Sequence, residues 1–180
     1  HCRVTTANQT SVATQDEMFI EVSVSAKREI ATGTFLFELV APGGDGLRPL
    51  PTYTAGSHLT VVTPSGVRRN YSLCGDPADT TRYCIAVKRD AKGRGGSISM
   101  ADDVQTGNTL LVSAPRNNFE LAPRAKKFLF IAGGIGITPI LSMMRHLRHG
   151  DFAASFSLIY CTRDPESTAF SADLASEFPG

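Results

Sequence analysis

The chain has 180 residues, a formal net charge of +1, 42% hydrophobic and 19% charged residues, so it is long enough for one large domain or for one domain with part of another. A charge so near zero supplies no field for nucleic acid or an anionic membrane surface, and no apolar run approaches the roughly 20 residues of a membrane-spanning helix. The four cysteines (Cys2, Cys74, Cys84, Cys161) and four histidines (His1, His58, His146, His149) form no short-spaced cluster, which argues against a zinc site or an iron–sulfur cluster held by these residues. A free-thiol pattern of this kind, with no apolar signal core in His1 to Thr6, leads us to expect a cytoplasmic, reduced protein.

Residues 1–17 are expected to be a disordered or extended N-terminal segment. From Met18 to about Pro123 the pattern is β. Ile20, Val22, Val24 and Ala26 alternate with polar residues, and Phe35, Phe37 and Leu39 do so again. A glycine-rich loop, Ala41 to Gly46, follows. Leu59 and Val61 mark a third strand, and Pro64-Ser65-Gly66 turns the chain into a fourth, Val67 to Leu73. Tyr83 to Arg89 and Leu110 to Ser113 complete the set. Six short strands punctuated by turns predict a small antiparallel barrel over residues 18–123, whose closure would remove exposed strand edges.

Within the fourth strand, Arg69-Asn70-Tyr71-Ser72 sets a permanent cation, a flat ring and a hydroxyl side by side. Alternation puts Arg69 and Tyr71 on one face, Asn70 and Ser72 on the other. A guanidinium suits phosphate, and the ring suits a flat ligand or its sugar chain. The loop Asp90 to Ser99 adds Arg94, three glycines and Ser97, the last as the expected N-cap of a short helix through Met100 to Asp103. A helix start behind bare backbone amides attracts anions. The same residues would also serve an ordinary half-exposed strand and a hairpin loop.

Pro123 to Lys127 reads as a linker, and residues 124–180 change period. Phe128 to Ala132 is a continuous apolar run, as expected for a parallel strand covered on both faces. Gly133-Gly134-Ile135-Gly136-Ile137 follows, with Thr138 as the expected N-cap and Pro139 in the first turn of a helix carrying the stripe Ile140, Leu141, Met144 and Leu147. Gly150 stops that helix. A strand, Phe156 to Tyr160, and a helix starting at Asp164-Pro165 with Phe170, Leu174 and Phe178 on one face come next. The β-α-β-α order with a glycine turn opens like a nucleotide-binding domain, although Pro139 stands where the third glycine of the dinucleotide fingerprint would be.

These residues resemble the ferredoxin-reductase-type flavoproteins. The family's flavin motif Arg-x-Tyr-Ser/Thr is matched by Arg69 to Ser72, and its nicotinamide-domain opening Gly-Gly-x-Gly-x-Thr-Pro by Gly133 to Pro139. Further runs, Ile85 to Asp90, Gly93 to Ser99 and Ala114 to Asn117, are similar to the phthalate-dioxygenase-reductase subgroup, the reductases of Rieske oxygenase systems. The resemblance implies a flavin-binding barrel followed by the start of a Rossmann-like nicotinamide-nucleotide domain. It implies FMN, with Arg69 and Arg94 on the phosphate and Gly95, Gly96 and Ser97 at the helix start. It places Tyr71 along the flavin, Ser72 near its reactive nitrogen, and the backbone of Ala86, Val87 and Lys88 on the ring or ribityl chain. Asn70, where the subgroup often has Thr, would stand beside the phosphate. Thr138 would reach the flavin, and Gly134, Ile135 and Gly136 would let the nicotinamide nucleotide approach. The implied activity is NADH oxidation with electrons passed towards a 2Fe–2S centre and on to a terminal oxygenase or ferredoxin domain, with no catalytic protein base, no metal ligand and neither nucleic acid nor membrane as partner.

The family's Cys-Gly-Pro motif, its late flavin-covering aromatic and the subgroup's 2Fe–2S domain have no counterpart in these residues. A fragment of a longer reading frame is therefore expected, with the iron–sulfur centre in the missing part and no sustained NADH oxidation by this piece alone. An electron-transfer subunit that never oxidises NADH, and a non-redox ligand-binding barrel, remain open. So does nucleotide choice: Arg163 suits a 2′-phosphate, whereas Asp164 would disfavour it or cap a helix, and the resemblance favours NADH.

Overall fold

Alternating apolar and polar side chains build the six predicted strands: β1 (Phe19–Ala31), β2 (Thr34–Val40), β3 (Ser57–Val62), β4 (Arg68–Ser72), β5 (Arg82–Lys88) and β6 (Thr109–Ser113). The computed structural model describes residues 18–43, 46–150 and 154–179; the expected N-terminal segment 1–17, with His1 and Cys2, lies outside the described residues. The six strands are antiparallel in the order β4-β3-β6-β1-β2-β5, and a two-residue strand the sequence does not announce, β7 (Arg116–Asn117), pairs with β3. The two outer strands meet at a single bridge, Leu73 to Ile85, where the Cys74 N–H donates to the Cys84 carbonyl at 2.9 Å. That contact closes the barrel. Inside it Val22, Phe37, Leu39, Leu59, Val61, Ile85 and Val112 are fully buried, each contributing about 2 kcal/mol by burial.

Helix α1 (Gly96–Asp103) spans the β5 to β6 connection and lays Met100 into the barrel. Its N-cap is Gly95 in the left-handed conformation, φ 86°, not Ser97 as expected. Ser97 already lies inside the helix, and its hydroxyl accepts the Asp90 N–H at 3.1 Å. A glycine takes the cap because the turn needs a positive φ, which a serine resists.

The second sheet is parallel and two-stranded, β8 (Lys127–Gly133) beside β9 (Ser155–Cys161). Between them run a 3-10 turn, Gly134–Gly136, and helix α2 (Ile137–His149). The expected stripe Ile140, Leu141, Met144 and Leu147 is buried, as are Ile137 and Met143. The chain then makes a 3-10 turn, Pro165–Ser167, and helix α3 (Ser171–Glu177). The single helix expected from Asp164 is thus split: Asp164 caps the turn by accepting the Ser167 N–H at 2.7 Å, and Phe170 enters the left-handed region, φ 62°, to bury its ring.

The α2 N-cap is Gly136 rather than the expected Thr138, because the 3-10 turn runs straight into Ile137, so Thr138 sits within the first turn with its hydroxyl donating to the Ile135 carbonyl at 3.0 Å. And β8 is covered on one face only. Phe130 and Ala132 are buried under α2 and α3, while Leu129 and Ile131 are 63% and 66% exposed and Ile159 of β9 is 49% exposed. The continuous apolar run records what that strand would bury between two layers; the described residues supply one.

The core of this second half is shared with the barrel. Leu36, Ala55, Cys74 and Ala86, from the outside of the barrel wall, pack in one cluster with Ile137, Ile140, Leu141 and Met144 of α2. No helix among the described residues is long and apolar enough to cross a membrane, and no group of metal-binding side chains occurs among them.

Candidate functional site

The barrel closes at one bridge and then opens. In the antiparallel pairs, odd-numbered residues of β4 hydrogen-bond towards β3, with the Leu73 N–H donating to the Ser57 carbonyl at 2.9 Å, so Asn70 and Ser72 present their backbone groups to the outer edge. The same counting on β5 turns Ala86 and Lys88 outward, since the Cys84 carbonyl faces β4 and the Arg89 N–H donates to Gly33 of the β1–β2 turn at 2.8 Å. Beyond the Leu73–Ile85 bridge these two edges diverge. Among the described residues no strand pairs with either, and buried backbone groups require a partner.

The gap is a cleft of about 340 Å³ lined by Asn70, Tyr71, Ser72, Ala86, Lys88, Ile135, Gly136, Thr138 and Pro139. Residues from both faces of β4 reach it because it runs along an edge strand. Face alternation alone would have divided them. Val87, counted with Ala86 and Lys88 in the sequence, turns its side chain into the barrel core and is fully buried. Its backbone, by the same counting, is turned to Phe35 of β2, so Val87 offers the cleft neither side chain nor backbone groups. A second hollow of about 260 Å³ adjoins along Asn70 and Ser72 and is lined by Gly56, His58, Asn118 and Phe119. These four escaped sequence reading. His58 is the cross-strand partner of Ser72, and Gly56 touches the Phe119 segment, neighbours that only strand pairing creates.

At one end of β4, Arg69 lies across the start of α1. A Cβ built on Gly96 would meet the Arg69 Cγ at 2.9 Å and Nε at 3.1 Å. Arg94, exposed, stands two residues before Gly96, and a Cβ on Gly95 would meet nothing within 4 Å. The Arg69 side chain and the first amides of α1 thus gather at one place, and the Arg69 Nη1 donates to the Arg68 carbonyl at 2.8 Å. From behind, the Lys27 ammonium donates to the Ala101 and Val104 carbonyls at 2.6 and 2.8 Å, closing the C-terminal end of α1, and its charge lies 5.2 Å from the Phe35 ring. The Tyr71 hydroxyl is buried with no hydrogen-bond partner among the described residues. Burial pushes its phenol above the ordinary value, against the pull of Arg69, so it stays a donor in search of an acceptor. An oxygen-rich chain ending in phosphate fits this donor set.

The glycine turn borders two hollows. Ile135 and Gly136 line the cleft just described. Gly133, Gly134 and Ile135 line another of about 510 Å³ with Lys88, Cys161, Thr162, Arg163, Asp164 and Ser167. Gly134 has φ 51°, and a Cβ on Gly133, Gly134 or Gly136 would meet nothing within 4 Å, so bare backbone faces open space. Asp164 is already engaged as a cap.

Residues 130–177 match the oxidoreductase NAD-binding domain family. The phthalate 4,5-dioxygenase oxygenase reductase subunit of Pseudomonas putida is 57% identical over 159 residues, 88% of this chain and 48% of that protein. Phthalate dioxygenase reductase of Burkholderia cepacia is 52% identical over 163 residues, 91% of this chain and 49% of that protein. A solved structure described as phthalate dioxygenase reductase, a modular structure for electron transfer from pyridine nucleotides to 2Fe–2S, superposes with a TM-score of 0.85 at 52% identity, over 91% of this chain and 50% of that one. The chain spans about half the length of the curated relatives it matches.

Proposed function

Since the chain belongs to the ferredoxin-reductase-like family that includes phthalate dioxygenase reductase, we propose that it is the FMN-binding, NADH-accepting part of a reductase serving a Rieske-type aromatic-ring dioxygenase or demethylase. FMN bound in the cleft supplies hydride acceptance from NADH and one-electron delivery towards a 2Fe–2S centre. Arg69 and Arg94 hold its phosphate at the α1 start, by paired charge-assisted contacts. Gly95, Gly96 and Ser97 offer backbone amides there, and the missing Cβ of Gly96 is what lets Arg69 lie so close. The orphaned Tyr71 hydroxyl donates to the sugar chain. Asn70, Ser72, Ala86 and Lys88 offer backbone groups along the opened seam, while Val87 faces β2 and the barrel core. Thr138 and Pro139 close the cleft from the α2 side, and Gly134, Ile135 and Gly136 leave the nicotinamide nucleotide room to approach it. Asp164, adjoining the open hollow, supports NADH over NADPH through its charge, although Arg163 stands beside it. The electron acceptor is a ferredoxin domain or a terminal oxygenase, and the 18–123 and 124–180 halves are the flavin and nucleotide units.

The observation that carries the proposal is Arg69 laid over Gly96 while the next three residues of its strand line the cleft shared with Thr138. The test is reconstitution with FMN followed by titration. Arg69→Ala and Arg94→Ala should each weaken FMN binding by about 1.5–3 kcal/mol. Unchanged affinity in both variants would overturn the phosphate assignment. A colourless protein that takes up no flavin would leave the non-redox barrel as the reading.

A further inference from the structure

Helix α2 starts at the cleft and ends on the barrel wall, and its two ends are held differently. At the start, Ile137 packs in the shared apolar cluster, and the hydrogen bond from the Thr138 hydroxyl to the Ile135 carbonyl stays within the turn. Two turns on, about 10 Å along the axis, Arg145 makes directional contacts to two other parts of the molecule. Its Nη1 donates to the Cys74 carbonyl at 2.8 Å, on the barrel two residues after Ser72. Its Nε donates to Glu177 Oε2 at 3.0 Å and its Nη2 pairs with Glu177 Oε1, on α3. Both side chains are largely buried, 15% and 22% exposed. Arg148 reinforces the carboxylate, 3.3 Å from Oε2, and His149 stands 3.4 Å from Asp76 of the barrel.

Apolar packing between α2 and the wall resists separation, but hydrophobic burial is not directional and leaves the register of α2 less tightly fixed than polar contacts do. A planar fork that must satisfy a carbonyl and a carboxylate at once does resist sliding. We infer that Arg145 is a positioning residue: through Cys74 and Glu177 it sets where α2 lies on the barrel, and so the separation between the Ser72 end of β4 and the Gly134 to Thr138 turn. Its catalytic consequence rests on the proposed transfer of hydride across that cleft; its geometric consequence does not.

The test uses Arg145→Lys, which keeps the charge and loses the fork, and Arg145→Met. Spin labels on the exposed native Cys161 and on Thr106→Cys, in a Cys2→Ser background, report the separation of second sheet and barrel. One narrow distance is expected for the parent and a broadened distribution for both variants, with cooperative melting retained. FMN affinity should stay within about twofold, because the phosphate residues lie elsewhere. In unlabelled protein with FMN bound, bleaching at saturating NADH should slow at least about tenfold, with the half-saturating NADH concentration changed less. Should either Arg145 variant fail to fold, Glu177→Gln decides, since it leaves the Cys74 contact and removes one arm: partial broadening is expected. A narrow distance unchanged in every folded variant, or bleaching at the parent rate in a broadened one, overturns the inference. Failure of the parent to bind FMN overturns the proposed function instead, and the distance measurement still judges Arg145.

Discussion

The barrel and the second sheet solve the same problem to different degrees. The barrel wraps six strands round its own core and leaves one seam partly unzipped. The second sheet has two strands, buries one face, and leans on the barrel wall for part of its core. Stability and function separate along that line. The closed core gives a rigid frame on which Arg69, Tyr71 and Ser72 are fixed, and the place where closure stops is where unpaired backbone becomes available to a ligand. The second half contributes a glycine turn and a helix whose position depends on contacts with the first.

Deleting a ring from the closed core should break the contrast most strongly. Phe37→Ala is expected to cost about 3–5 kcal/mol in chemical denaturation, since Phe37 is fully buried. Next comes Gly56→Ala, at about 3 kcal/mol: its φ is 96° and a Cβ would meet the Phe119 carbonyl oxygen at 2.0 Å. Gly66→Ala, at φ 79° with nothing within 4 Å, should cost only about 1 kcal/mol, which separates clash from backbone strain.

The joint between the halves should respond to acid. Hydrogen bonds from Arg145 hold the Glu177 carboxyl below its ordinary 4.5, with the charges of Arg145 and Arg148 adding to them. A carboxyl with a native pKa below its unfolded one stabilises fully above the unfolded value and loses that contribution as pH falls through the native one. Glu177→Gln is expected to cost about 1–3 kcal/mol at pH 7 and to flatten the fall in stability below pH 4.5, measured by denaturation across pH. A fall equally steep in the variant would locate the acid response elsewhere.

Thiol chemistry sharpens the same comparison. Cys74 is fully buried and its pKa is raised by burial, and burial pushes the Cys84 thiol up to about 11. Cys161 is exposed on the second sheet. A thiol reagent at pH 8 should modify Cys161 rapidly and the other two only as the second half lifts from the barrel wall. The smallest effect is expected on the bare face: Leu129→Ser and Ile131→Thr should each change stability by less than about 0.5 kcal/mol, because neither side chain is buried.

Much of this molecule was readable from local pattern. Alternation located all six barrel strands, and helical spacing located the α2 stripe. Side-chain preference points to Ser97 and Thr138 as helix starts, but Gly95 and Gly136 take the caps because loop geometry outweighs that preference. The apolar run of β8 misled about burial, since composition records what a strand suits and says nothing of which layers are present. Of the candidate site, the residue types of Arg69 to Ser72 and of both glycine turns stood out because phosphate and close approach demand unusual chemistry.

What the sequence alone determined, then, is everything that depends on neighbours a few residues apart: strand and helix periods, turns, and the motif that carries the flavin reading. Only the tertiary structure decided that the barrel seam opens past Leu73 and Ile85, that His58 and Phe119 border Ser72, and that Arg145 reaches the Cys74 carbonyl. Those contacts join residues far apart in the chain, and which distant edges meet is set by closure and packing of the whole, for which no short stretch holds the pattern.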